Sequence, residues 1–234
     1  QCLESAMEEN VIEVYSHFKN APDIFTIFGI EVTRFEYYEN IGKLHEIFVS
    51  GTPLPRKFYP HFIVPKSPFE KPIGRKVIGI HVEGSPLSNQ FWRERGKPTK
   101  EMTKEFFIAL INKIQEVYPK IVIYLFCSPN RTKELGNIAA EVIKEDFYII
   151  GFPKIWDSLS CVAHCDVVIG VDSAIKTMSS ILKKPTITLI GNYEDKFRDD
   201  NFIYQYVNDG IMHAIYFDNI DSVNVGEVVK LISL

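Results

Sequence analysis

The sequence predicts an α/β fold: a doubly wound parallel sheet preceded by a short N-terminal α/β segment. Three observations lead there. Between residues 75 and 234, short β-branched apolar runs alternate with segments of helical period. The runs are apolar throughout rather than at every second residue, as in strands covered on both faces. Alternation with helices makes such strands parallel, joined by right-handed crossovers.

Residues 1–19 carry Val11, Ile12, Tyr15 and Phe18 at helical spacing. Residues 24–32 read as a strand, and residues 38–49 again as a helix. Residues 50–76 hold Pro53, Pro55, Pro60, Pro65, Pro68 and Pro72. Proline removes a backbone donor and resists helix and central strand, so this stretch reads as an extended linker. The expected organisation is residues 1–74 as N-terminal segment and linker, and 75–234 as the sheet domain.

Within that domain, KVIGIHV (76–82), IVIYLF (121–126), 147–150, 167–171 and 186–190 read as strands, with 214–217 a short last one. Helices are expected over 99–118, 130–144, 157–165, 173–183 and 225–231. The first has Phe106, Phe107, Leu110, Ile111, Ile114 and Val117 on one face, with Thr99 as its cap. Residues 81–99 read as a long loop.

The bulk composition excludes some classes. A net charge of -4 opposes a broad nucleic-acid footprint. No apolar run approaches the roughly 20 residues that span a bilayer. The opening QCLESAMEEN is polar and acidic, unlike a signal peptide. The cysteines lack two C-x-x-C-like pairs, so Cys161 and Cys165, with His164 between them, are expected as buried thiols rather than zinc ligands. These features suit a reducing, cytoplasmic setting.

Parallel sheets bind ligands beyond the carboxyl ends of their strands. There the chain places Gly84 and Ser85, then Arg93, Arg95 and Lys97, a turn and cations suited to an anion. The glycines do not form G-x-G-x-x-G running into a helix, which argues against a dinucleotide enzyme. After the second strand come Asn130, read mainly as a helix cap, and Glu134. After the third come Phe152, Lys154 and Trp156, able to frame a flat base or simply to pack. At the next junction stand Asp172 and Ser173, then Ala174, Lys176 and Thr177. A cap explains the first two, yet a helix amino end is also an anion site, with Lys176 adding charge.

These residues carry a resemblance. VIGIHVEGS, the W-R-x-R-G-K-P element, IVIYLFCSPN and SLSCVAHCDVVIGVDSAIKTMSSILKKPTITLIGNYED resemble the C-terminal half of ADP-heptose:lipopolysaccharide heptosyltransferases, glycosyltransferases of family 9 with two Rossmann-like domains (GT-B). The resemblance implies a half that binds a nucleotide-sugar donor. Its D-[ST]-G-x-x-H motif falls on Asp172, Ser173, Ala174 and Thr177, with alanine and threonine where the family has glycine and histidine. A basic residue of the first loop falls near Arg95, and the acid for the ribose hydroxyls falls at Asn130 or Glu134. Phosphate contacts are then expected from Gly84, Ser85, Arg95, Asp172, Ser173, Ala174, Lys176 and Thr177. Nucleoside contacts are expected from Asn130, Glu134, Phe152 and Lys154.

The expected function is transfer of a sugar, a heptose among the candidates, from a nucleoside diphosphate to a glycan or lipid-linked acceptor, with inversion. No D-x-D pair suited to Mg²⁺ stands near the strand ends, so no metal or cofactor is implied. The expected setting is cytoplasmic, the inner face of the membrane included. Among Glu31, Glu36 and Glu39 no catalytic base stands out. The alternative is a nucleotide-binding module without catalysis.

Overall fold

A computed structural model describes residues 67–192 apart from 69, 85 and 154, residues 206–232 apart from 208, and the backbone of 13–16 and 34–37. The chain divides into two compact units, Gln1–Ile63 and Val64–Leu234.

In the first unit, β1 (Glu13–Ser16) pairs in parallel with β2 (Arg34–Tyr37), Glu13 opposite Arg34 and Ser16 opposite Tyr37. Residues 13–16 were expected in a helix. Pairing with a distant strand has overridden the local period, as strand formation commonly does. The strand expected over 24–32 and the helix over 38–49 lie outside the described residues.

The second unit is a parallel sheet of six strands. They are β3 (Val77–His81), β4 (Val122–Phe126), β5 (Asp146–Ile150), β6 (Val167–Val171), β7 (Thr186–Gly191) and β8 (Met212–Phe217), in the order β5-β4-β3-β6-β7-β8. Every residue of β3, β4, β6 and β7 is buried, the signature of strands covered on both faces. The edge strand β5 is only partly buried and exposes Tyr148.

Helices α1 (Pro86–Arg93), α2 (Lys104–Val117), α3 (Thr132–Val142), α4 (Ile155–Val162), α5 (Ala174–Ile181) and α6 (Val225–Lys230) follow the strands. The face of α2 formed by Phe106, Phe107, Leu110, Ile111 and Ile114 is buried. Each such side chain contributes about 1.5–3 kcal/mol when removed from water. Val117, expected on this face, is exposed at the helix end.

Three differences from the sequence expectation bear on the site. Residues 86–93 are helical rather than loop. Pro86 suits a first turn, and Asn89 and Trp92, three apart, turn the same side into the core. Helix α2 starts at Lys104, capped by Thr103 rather than Thr99, because residues 100–102 pair with the chain leaving β3. Helix α3 starts at Thr132 after a 3-10 turn at Pro129–Arg131, so Asn130 is not its cap.

Counting from β3, the strand order is 3-2-1-4-5-6. Its reversal between β3 and β6 opens a crevice at their carboxyl ends. The register sets His81 beside Gly170. A Cβ at Gly170 would stand 3.0 Å from the His81 Cβ, so this glycine makes room for the histidine at the switch point.

Candidate functional site

The crevice is built from four short segments: the end of β3 with residues 81–84, residues 100–102 before α2, the turn after β4, and the β6–α5 junction. The second is brought in by backbone bonds. The Gly84 amide donates to the Lys100 carbonyl, and the Met102 amide donates to the Val82 carbonyl at 2.8 Å. A Cβ at Gly84 would lie 2.7 Å from the Lys100 Cβ, so glycine permits this approach. The buried Asn89 accepts the Lys100 amide at 2.8 Å, tying α1 to the same segment.

In this extended stretch successive side chains point to opposite sides. Lys100 goes to the β6–α5 junction. Its Nζ lies 2.6 Å from Asp172 Oδ2, while Lys176 Nζ lies 2.7 Å from Oδ1. Burial would raise the Asp172 pKa, but Lys176 and Lys100 outweigh it and hold the carboxyl well below its ordinary range. Two ammonium groups thus meet one carboxylate beside the amino end of α5. That end is itself positive.

Ser173 is the α5 cap. Its Oγ accepts the Lys176 amide at 3.4 Å and sits 2.8 Å from His81 Nδ1. Burial lowers the His81 pKa to about 4 against the opposing effect of Glu83, so its imidazole is neutral at pH 7. The Ser173 hydroxyl is thus already engaged on two sides. The amides of Ala174 and Ile175 have no hydrogen-bond partner among the described residues, and Ala174 is exposed. Thr177 Oγ1 donates to the Ser173 carbonyl at 3.2 Å, an intrahelical bond.

Glu101 goes to the other side. It meets Arg131 Nη1 at 2.7 Å, and the same nitrogen donates to Glu83 Oε2 at 2.8 Å. Glu83 Oε1 accepts the Ser128 amide and hydroxyl at 2.8 and 2.5 Å. Burial would raise the Glu83 pKa, but these bonds and Arg131 bring it below its ordinary value. Glu134 closes the cluster from the surface at 3.2 Å from Arg131 Nη2. Arg93 Nη2 also lies 3.7 Å from Glu101 Oε2, so two guanidinium groups serve three carboxylates and acceptors remain in excess.

The expected site residues divide accordingly. Asp172, Ser173, Ala174, Lys176 and Thr177 meet at the β6–α5 junction, and Gly84 shapes the neighbouring turn. Glu134 belongs to the acid-rich corner, whereas Asn130 is exposed in the turn. The Phe152 amide lies 3.3 Å from Ser158 Oγ, which accepts it beside the end of β5. The Arg95 guanidinium stacks 3.6 Å from the centre of the Phe91 ring and donates to the Phe91 carbonyl. It is Lys100 that reaches Asp172. Ser85 and Lys154 lie outside the described residues.

His81, Glu83, Lys100, Glu101, Ser128 and Arg131 were not singled out. A histidine closing an apolar strand and a glutamate two residues on were the available signals. Cys161 and Cys165 are buried free thiols whose pKa burial raises. An open groove of about 510 Å³, lined by Lys71, Ile73, Arg75 and Asp166 among others, lies at the amino ends of β3 and β6. It is the wrong end of a parallel sheet for the usual ligand.

Comparison with known proteins bears on the fold that carries this geometry. The model of glycosyltransferase family 9 (heptosyltransferase) matches residues 91–199, and the resemblance seen in the sequence holds over that span. Among solved structures the chain is similar to the E. coli ADP-heptose lps heptosyltransferase II, with a TM-score of 0.53 and 15% identity over 76% of this chain and 54% of that one. It is also similar to the glycosyl transferase family 9 from Veillonella parvula DSM 2008, with a TM-score of 0.54 and 12% identity over 86% of this chain and 62% of that one. At such identities the likeness speaks to the fold, which is the GT-B kind. The chain spans only about half to three-fifths of the length of these two structures. No curated protein matches it.

Proposed function

We propose, for a chain carrying a family 9 segment over residues 91–199, that residues 75–234 are the donor-binding half of a glycosyltransferase. Residues 1–74 would then be a linker and a part or remnant of the acceptor domain. The donor is a nucleoside diphosphate sugar, a heptose in the nearest reading, and the acceptor a glycan or lipid-linked glycan of the lipopolysaccharide kind. Transfer inverts the anomeric centre and needs no metal or other cofactor. The setting is cytoplasmic, at the inner membrane face. No helix among the described residues is long and apolar enough to cross a membrane.

The observation that carries this reading is the convergence of Lys100 and Lys176 on Asp172 at the α5 amino end. As the bond from sugar to diphosphate breaks, negative charge collects on the departing oxygens. Fixed amides, the helix dipole and ammonium groups already aimed there lower that barrier without reorganising. The Ala174 and Ile175 amides take phosphate oxygens, and Lys100 takes the departing charge. The acid-rich corner around Glu83, Glu101 and Glu134 accepts ribose hydroxyls. Phe152 borders the nucleobase. The base that deprotonates the acceptor comes from outside these segments.

The test is thermal stabilisation by ADP, UDP and GDP, with sugar transfer measured on a panel of nucleotide sugars. At least one diphosphate should raise the melting temperature, and Lys100→Glu should erase that rise. A variant shifting like the parent would refute the pocket. The second reading, a binding module without transfer, is favoured by Ala174 and Thr177, where the family has glycine and histidine. Stabilisation with no turnover on any donor would select it.

A further inference from the structure

We infer that Ser173 fixes His81 in the tautomer that carries its proton on Nε2, and that this N–H donates to an oxygen of the diphosphate. The inference rests on the diphosphate reading above and deepens it. The hydroxyl expected to touch phosphate acts instead through a histidine outside the D-[ST]-G-x-x-H motif.

His81 stands at the switch point where β3 and β6 part, in the room left by Gly170. It is 9% exposed. Its Nδ1 lies 2.8 Å from Ser173 Oγ. Its Nε2 has no hydrogen-bond partner among the described residues, yet it is not one of the side-chain atoms there that are sealed from solvent without a partner. The polar atom that this buried ring leaves over therefore opens onto the crevice.

Burial keeps the imidazole neutral at pH 7, so one ring nitrogen bears a proton and the other a lone pair. The bonds at Ser173 decide which. A hydroxyl has one proton to give and two sites that accept. Ser173 Oγ already accepts the Lys176 amide at 3.4 Å. An oxygen that accepts one hydrogen bond donates the next more strongly. Oγ also caps the positive end of α5, which favours a lone pair on the facing nitrogen over an N–H. The Ser173 proton thus goes to Nδ1, and the imidazole proton sits on Nε2. Ser173 has no proton left for a phosphate, and His81 supplies the donor in its place. Alongside the Ala174 and Ile175 amides, a fixed neutral N–H steadies the negative charge that gathers on a departing diphosphate.

The experiment is nitrogen-15 NMR on histidine-labelled protein, with His81→Gln or His81→Asn assigning the signals. Without ligand, Nδ1 should resonate as a bare ring nitrogen and Nε2 as a protonated one, and the opposite pattern overturns the proposal. Ser173→Ala should let the tautomers mix and draw the two resonances together, and unmoved resonances would remove Ser173 as the lock. Saturating the parent with inorganic pyrophosphate should shift the Nε2–H signals, and saturation without a shift refutes the contact.

Two substitutions separate donation from packing. The amide of His81→Gln can present an N–H near the Nε2 position. That of His81→Asn reaches only the Nδ1 position, where it still accepts from Ser173. Pyrophosphate affinity should stay within a few-fold of the parent in His81→Gln and fall about tenfold in His81→Asn. A histidine that mattered only for its bond to Ser173 would give the reverse order, which overturns the proposal. If one variant fails to fold, the pyrophosphate-induced shift decides. If the parent binds neither pyrophosphate nor ADP, UDP or GDP while Nε2 carries the proton, the donor-site reading fails and takes the phosphate contact with it, and the Ser173–His81 lock stands.

Discussion

Two charged corners share the carboxyl edge of the sheet, and they are opposites. At the β6–α5 junction two ammonium groups attend one carboxylate. Around Arg131 three carboxylates gather, one of which, Glu101, also meets Arg93. The first gathers cations and the second gathers acceptors. The first also includes an exposed helix end, whereas the second fastens Glu83, the Ser128 turn and residue 101 to one another. On the proposed function the difference separates roles: the lysine corner would take the diphosphate, and the arginine corner would hold three chain segments in register while offering oxygens to hydroxyls.

The largest effect expected from this contrast is on stability. Arg131→Met strands Glu83, whose side chain is 7% exposed, and should cost roughly 3 kcal/mol. Chemical denaturation would measure it, and pyrophosphate affinity in the folded fraction should be nearly unchanged. Lys100→Met should do the reverse, with stability within about 1 kcal/mol of the parent and pyrophosphate binding largely lost. If both variants changed the same property, the division of roles would be wrong.

A smaller effect sharpens the lysine corner through pH. The His81 pKa is lowered to about 4 from 6.5, so the folded state resists a proton that the unfolded chain accepts. Its contribution to stability is complete above pH 6.5 and is lost as pH falls toward 4. Between pH 6.5 and 5 the loss amounts to about 2 kcal/mol. In His81→Asn that slope should flatten by about this amount, and an unaltered slope would remove His81 as its source. His164, also lowered by burial and by nearby Lys71 and Lys184, titrates in both proteins and cancels from the difference.

The smallest effect touches both corners at once. Gly84→Ala drives a Cβ against Lys100 at 2.7 Å and should cost about 1 kcal/mol. Because residues 100 and 101 shift together, pyrophosphate affinity and the melting temperature should fall in the same variant. A drop in only one would separate the corners mechanically.

How much of this the chain declares in advance depends on range. Strands β3, β4, β6 and β7 are legible because burial on both faces leaves unbroken apolar runs. Asp172 and Ser173 are legible because a polar pair after such a run marks a strand end. Helix α1 is hidden because its buried side includes the polar Asn89, leaving little apolar period to see. Residues 13–16 are misread because a partner some twenty positions away decides their shape. Lys100 and Glu101 are hidden for a related reason. Nothing local distinguishes them from surface charges, and only the bridge between Glu83 and Glu101 aims them inward. Arg95 draws the eye instead, as the cation beside the recognisable element.

Because Lys100 and Glu101 are consecutive in that bridged stretch, one added or deleted residue between α1 and Thr103 would trade their destinations. The glutamate would face Asp172 and the lysine would face Arg131, setting like against like in both places. Natural length variation in this connection should therefore come in steps of two.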